Sequence, residues 1–157
     1  MTASVDLDCR TACERLCMDF AHFVDARRHA EFLALFAEDR VFSRPTDGFK
    51  GQKELRRFLE QRPVDVTTRH LCTTVRIEPS TERRTSGTCC VLMFQAPTGA
   101  LPLVPASVKF VEYDDRFVYT AAEAWRFESR TARVIFDLPS FTSSVGLTPT
   151  EGHPRNL

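Results

Sequence analysis

Cys13, Leu16, Cys17, Phe20, Phe23 and Val24 recur three and four residues apart, the spacing that gathers apolar side chains on one stripe of an α-helix. Glu14, Arg15 and Asp19 fall off that stripe. Thr11-x-x-Glu14 has the form of a capping box, in which the Thr hydroxyl accepts from the third amide and the Glu carboxylate from the cap's own N–H. The pattern therefore predicts a helix from about Thr11 to Asp25. A second, shorter helical pattern runs from His29 to Ala37, ends in Glu38-Asp39-Arg40 and feeds the brief apolar run Val41-Phe42. Pro45-Thr-Asp-Gly48 reads as a turn, and Gly51-Gln-Lys-Glu54 opens a third helix carrying Leu55, Phe58 and Leu59.

Beyond Pro63 the helical spacing gives way to β-branched and aromatic runs. Strands are predicted at about 67–77, 85–95, 106–119 and 125–136, with turn residues at Pro79-Ser-Thr-Glu82, Pro97-Thr-Gly99 and Thr120-Ala-Ala-Glu123. Helices followed by long strands on short links predict an α+β fold: a meandering antiparallel sheet covered on one face by the helices. From Asp137 onward Pro, Ser, Thr and Gly recur without a period, which reads as a strand-end extension followed by a loose tail, so the expected organisation is one domain over 1–137 and a tail over 138–157.

Composition narrows the function classes. A chain of 157 residues is the size of one domain and buries about two-thirds of its unfolded surface. Basic and acidic residues balance at 21 each, which leaves no overall field to hold nucleic acid. No stretch reaches the roughly 20 apolar residues of a membrane span, and MTASVDLDCRTACER lacks an apolar signal core, so a cytoplasmic location is expected. The six cysteines show neither zinc spacing nor any need for staples in a chain this long, and are read as small buried hydrophobes.

Several segments together carry a family likeness. Phe20 to Phe42, Phe49-Lys-Gly51, Thr68-Arg-His-Leu-Cys-Thr-Thr-Val75, Tyr113-Asp-Asp-Arg-Phe-Val118 and Trp125-Arg-Phe-Glu-Ser-Arg130 resemble the SnoaL-like branch of the nuclear transport factor 2 superfamily, nearest in pattern to scytalone dehydratase and polyketide cyclases. The resemblance implies a cone: a curved antiparallel sheet wrapped around N-terminal helices, a deep apolar pocket, and a homodimer or other homo-oligomer formed sheet to sheet. It also implies a small hydrophobic molecule as the ligand.

By that resemblance Asp25 and His70 are the candidate catalytic pair, since an imidazole acting near neutral pH needs a carboxylate to fix its tautomer and stabilise its charged form. Val24, Phe42, Arg44, Val111 and Tyr113 are the candidate ligand-binding residues. Arg44 is the expected donor to a developing oxyanion. The chain departs from the dehydratase pattern: no second strand His is present, Phe110 and Val111 lie near its expected place, and Val24 and Arg44 stand near the positions of pocket tyrosines. A simpler proton shuttle fits better, as in dehydration, isomerisation or cyclisation, with no cofactor and no metal. Two other readings stay open, a non-catalytic binder of hydrophobic ligands and a structural partner resembling a dioxygenase small subunit.

Overall fold

The structure, a computed structural model, describes residues 7–79, 81, 83–99, 101 and 105–139. Three helices, α1 (Leu7–Asp25), α2 (His29–Ala34) and α3 (Gly51–Glu60), accompany six strands: β1 (Phe36–Arg44), β2 (Asp47–Lys50), β3 (Val66–Ile77), β4 (Arg84–Pro97), β5 (Ser107–Tyr119) and β6 (Trp125–Pro139). The strands form one mixed sheet in the order β2-β1-β6-β5-β4-β3. Register shifts in β1–β6, β3–β4 and β5–β6 mark the bulges that bend such a sheet.

The structure corrects three sequence expectations. Thr11 lies inside α1, which already includes Leu7; Cys9 continues the buried stripe of Cys13, Leu16 and Cys17 one turn earlier, so the apolar face extends past the supposed capping box. The second helix stops at Ala34, and Phe36 begins a strand paired with Phe127. The predicted four-strand meander is a six-strand sheet, because 36–44 and 47–50 form a hairpin whose first strand runs parallel to β6. β6 runs on to Leu138 and Pro139, paired to β5, and the rest of the expected tail, 140–157, lies outside the described residues.

Phe20 on α1 sits at the centre of the core. Its ring lies 4.8 Å from Phe32, 5.7 Å from both Phe42 and Tyr113, and 6.2 Å from Phe127, so α1, α2, β1, β5 and β6 meet at one side chain. Beside this cluster β4 passes close under the bulge of β3. A Cβ added at Gly87 would stand 2.4 Å from the Arg76 carbonyl oxygen and 2.9 Å from Ile77 Cδ1. Gly87→Ala is therefore expected to cost about 1–3 kcal/mol of unfolding free energy through overpacking, read from the urea midpoint.

Candidate active site

Asp25 is the last residue of α1, and its carboxylate meets β3. His70 Nδ1 lies 2.6 Å from Asp25 Oδ1, the His70 backbone N–H donates to Oδ2 at 2.7 Å, and Thr68 Oγ1 donates to Oδ1 at 2.8 Å. An Nδ1–H given to a carboxylate leaves the lone pair on Nε2, the arrangement of a general base. Both side chains are nearly buried, at 12% and 8% exposure.

A carboxylate at the C-terminus of a helix opposes the helix dipole, and arginines compensate. Arg62 donates to the Val24 carbonyl and, at 2.9 Å, to Thr68 Oγ1. Arg27 takes a left-handed backbone (φ 55) where α1 ends, and its guanidinium ties the carbonyls of Arg62, Pro63 and Val66 to that turn. The sequence reading missed Arg62 and Thr68. Only the fold brings them behind Asp25.

Burial raises the proton affinity of the Asp25 carboxyl, yet the hydrogen bonds and charge of His70, with that from Thr68, outweigh it and hold the group below its ordinary value of 3.8. A carboxylate depressed in this way adds stability above its unfolded pKa and loses it as pH falls through the folded one. Wild-type unfolding free energy is thus expected to drop more steeply below about pH 4 than that of Asp25→Asn, as measured by urea titration across acid pH.

His70 borders an open cleft of about 520 Å³ with Met18, Ala21, His22, Asp25, Ala26, Arg69, Leu71 and Cys72. The lining is mixed, apolar from Met18, Leu71 and Cys72 and charged from Asp25 and Arg69. The cleft lies between α1 and β3. Thr68, His70 and Cys72 turn toward α1, whereas Leu71 is 52% exposed. The bulge at Thr74, with φ 47, then shifts the phase, so Val75 and Ile77 face inward. A strict alternation would have grouped Leu71 with those two.

The other predicted ligand-binding residues lie elsewhere. Val24, Phe42, Val111 and Tyr113 belong to the packed core cluster and do not border this cleft, because the aromatic rings around Phe20 occupy the interior. Arg44 is committed to the β1–β2 hairpin: its Nε donates to Asp47 Oδ1 at 2.7 Å, and its guanidinium lies 4.6 Å from the centre of the Phe58 ring. The oxyanion role expected of Arg44 therefore has no geometric basis at the Asp25–His70 cleft.

The core also holds a cation, Arg130, which the sequence reading passed over. It is fully buried, stacked against Phe20 at 4.2 Å, Tyr113 at 4.1 Å and Phe127 at 4.7 Å. Its register partner across β5–β6 is Asp115, with Nε 3.4 Å from Oδ1. That contact is not aligned as a hydrogen bond, and among the described residues Nε and both Nη atoms meet no oxygen acceptor. Burial pushes the Asp115 carboxyl up to about 6 against the opposing pull of Arg130. The signal was present in β5, where Asp115 falls in phase with the inward Val111, Tyr113 and Phe117.

Thiols separate this ion pair from the cleft. Cys17 Sγ donates to Asp115 Oδ2 at 3.6 Å, and Cys72 and Cys89 bring their Sγ atoms to 3.2 Å. Cys13, Cys17, Cys72, Cys89 and Cys90 carry free thiols. Cys9, Cys13, Cys17 and Cys89 are buried as expected, but Cys17, Cys72 and Cys89 make a polar cluster rather than serving as plain apolar filler. Among the described residues no three His, Cys, Asp or Glu side chains are placed to hold a metal ion, and no helix is long and apolar enough to cross a membrane.

Solved structures share this architecture. A scytalone dehydratase-like protein of Novosphingobium aromaticivorans is 24% identical with a TM-score of 0.71, covering 82% of this chain and 85% of its own. The hexachlorocyclohexane dehydrochlorinase LinA-type3 of Novosphingobium barchaimii is 18% identical with a TM-score of 0.74, covering 87% and 92%. The β subunit of an aromatic-ring-hydroxylating dioxygenase-like protein of N. aromaticivorans is 17% identical with a TM-score of 0.66, covering 80% and 88%. Comparison with curated protein sequences gives no match. These identities speak for the fold, the nuclear transport factor 2-like cone. Residues 5–131 match the SnoaL-like domain, which takes in all three helices and every strand up to Thr131 of β6, and the chain therefore belongs to the SnoaL-like family.

Proposed function

We propose that this chain is a cofactor-independent lyase that eliminates a small leaving group from a cyclic, largely apolar molecule. The observation that carries the reading is the Asp25–His70 hydrogen bond at the wall of an open cleft. Nε2 of His70 takes a proton from carbon, Asp25 stabilises the resulting imidazolium, and the electron pair of the broken C–H bond expels a hydroxyl or halide from the neighbouring carbon. The names of two structural neighbours describe loss of water and loss of hydrogen chloride, which share this bond-breaking pattern. Where a substrate has no leaving group, the same proton shuttle performs isomerisation or ring closure.

The test is a panel of β-hydroxy ketones and vicinally chlorinated rings, assayed for alkene formation with and without deuterium at the departing C–H. Alkene formation with a primary isotope effect, absent in His70→Gln, is the expected result. No turnover of any panel member by the wild type, together with ligand affinities unchanged in His70→Gln, would favour the binding-only reading.

A second reading rests on a separate observation. Val134, Ile135, Phe136 and Leu138 of β6, with Leu71 of β3, are exposed, more apolar side chains than one stretch of solvated strand usually presents. This row suits a homo-oligomer formed through the sheet, and equally the structural-partner role. Light scattering of wild type against Phe136→Lys measures it, with loss of a dimer in the variant expected.

A further inference from the structure

The mechanism above makes no use of the three thiols that meet under the cleft. Cys72 stands on β3 two residues beyond His70 and borders the cleft, so a small solute reaches it. Cys89, on β4, is fully buried. The two lie diagonally across the β3–β4 ladder, since Cys72 pairs with Val91, and they point to the same inner face, beside the bulge between Thr73 and Arg76. Their sulfurs are already 3.2 Å apart, and a disulfide needs about 2.05 Å. A shift of about an ångström closes that gap, small enough for a strand that already bulges here.

We propose that Cys72 and Cys89 form a peroxide-reactive dithiol, a modification site in which Cys72 is the sulfur attacked from the cleft and Cys89 is the resolving sulfur. Cys72 sulfur attacks one oxygen of hydrogen peroxide, the O–O bond breaks, and Cys72 becomes a sulfenic acid with release of one water. Cys89 sulfur then attacks the Cys72 sulfur. The S–S bond forms, the S–O bond breaks, and the hydroxyl leaves with the remaining thiol proton as a second water. Two thiols and one peroxide thus give one disulfide and two waters, the sulfurs losing the two electrons that the peroxide gains.

The surroundings suit the second step. The neighbouring Cys17 and Cys72 thiols and the charge of Arg130 hold the Cys89 thiol below its ordinary value, while its contact with Cys89 and burial raise Cys72. Their 3.2 Å contact holds the resolving sulfur beside the one to be oxidised. Burial keeps peroxide from Cys89 itself, which protects the resolving sulfur from direct oxidation. Cys17 gives its one S–H to Asp115, away from the Cys72–Cys89 contact, so it is not the disulfide partner. This inference stands apart from the elimination reading, because it concerns sulfur chemistry that no substrate of that reaction is needed to reveal.

The experiment treats the native full chain with a few equivalents of hydrogen peroxide, alkylates remaining thiols under denaturing conditions, and maps peptides without reduction. The expected product is one cross-link between the peptides of Cys72 and Cys89, reversed by dithiothreitol. It should persist in Cys17→Ser and vanish in Cys72→Ser, with Cys89 alkylated in the latter. Thermal melts of both variants establish that they fold. If Cys72→Ser fails to fold, cleft-directed protection of Cys72 with a reversible methylthio group on wild type replaces it, and Cys89 should then capture that sulfur to give the same cross-link. A Cys17–Cys89 link, or Cys72 and Cys89 both alkylated while the half-exposed Cys90 is oxidised, overturns the proposal.

Discussion

Replacing His70 with glutamine is expected to lower turnover by about 10²- to 10⁴-fold while ligand affinity stays within a few-fold. Glutamine keeps a polar group near the Asp25 carboxylate, 2.6 Å from which His70 Nδ1 now lies, but it offers no basic lone pair. The loss should fall on kcat rather than KM, because the proton is in flight only in the transition state. Asp25→Asn is the sharper variant. An amide can donate to Nδ1, which moves the ring proton to Nε2 and removes the lone pair facing the cleft. The same change in the Ser-His-Asp triad costs on the order of 10⁴ in kcat, and a loss of similar size is expected here. Steady-state rates with the best substrate of the panel, alongside affinity for its unreactive analogue, measure both. Retention of full turnover in either variant would remove the base from the mechanism.

The second large effect is on stability. Arg130→Met is expected to cost about 3–5 kcal/mol, the usual result of leaving one member of a buried ion pair alone. Asp115 would then keep only the Cys17 thiol at 3.6 Å, in a site where burial already opposes its charge. Adding Asp115→Asn should recover most of the loss, since the double variant holds no uncompensated charge. Asp115 also has a pH signature opposite in sign to that of Asp25. A carboxyl raised from 3.8 to about 6 contributes stability that is complete below the unfolded value and is lost as pH rises through the folded one. Asp115→Asn should therefore flatten the stability curve between about pH 4 and 6, and Asp25→Asn should flatten it below that window. Urea unfolding of the wild type and the four variants measures all of this. An Arg130→Met protein as stable as wild type would mean that the cation is not compensating Asp115.

How much of this was legible in the sequence depends on the range of the signal. α1 and the four long strands follow from periods of 3.6 and 2, and their observed bounds differ from the expected ones by a few residues. β1 escaped because Phe32, Leu33 and Phe36 continue a helical spacing while Glu38 and Asp39 are exposed. Nothing local announces a strand that pairs with residues some ninety positions away. At the site, Asp25 and His70 were nominated through resemblance, as one carboxylate and one imidazole in matching segments. Arg62, Thr68 and Arg130 had no such mark, because an isolated arginine in sequence reads as surface charge. Arg44 shows the converse case, an arginine nominated by position that the structure pairs locally with Asp47.

The parallel pairing of β1 with β6 has a consequence for how the molecule is made. A ribosome releases β1 long before β6, so Phe36 and Phe42 wait without their β6 neighbour until residues 125–139 have emerged. Arg130 arrives with β6, which leaves Asp115 without its counter-charge until then. Closure of the cone is thus a late, long-range event of the kind that slows folding, and nascent chains arrested before Trp125 should present their phenylalanines to chaperones.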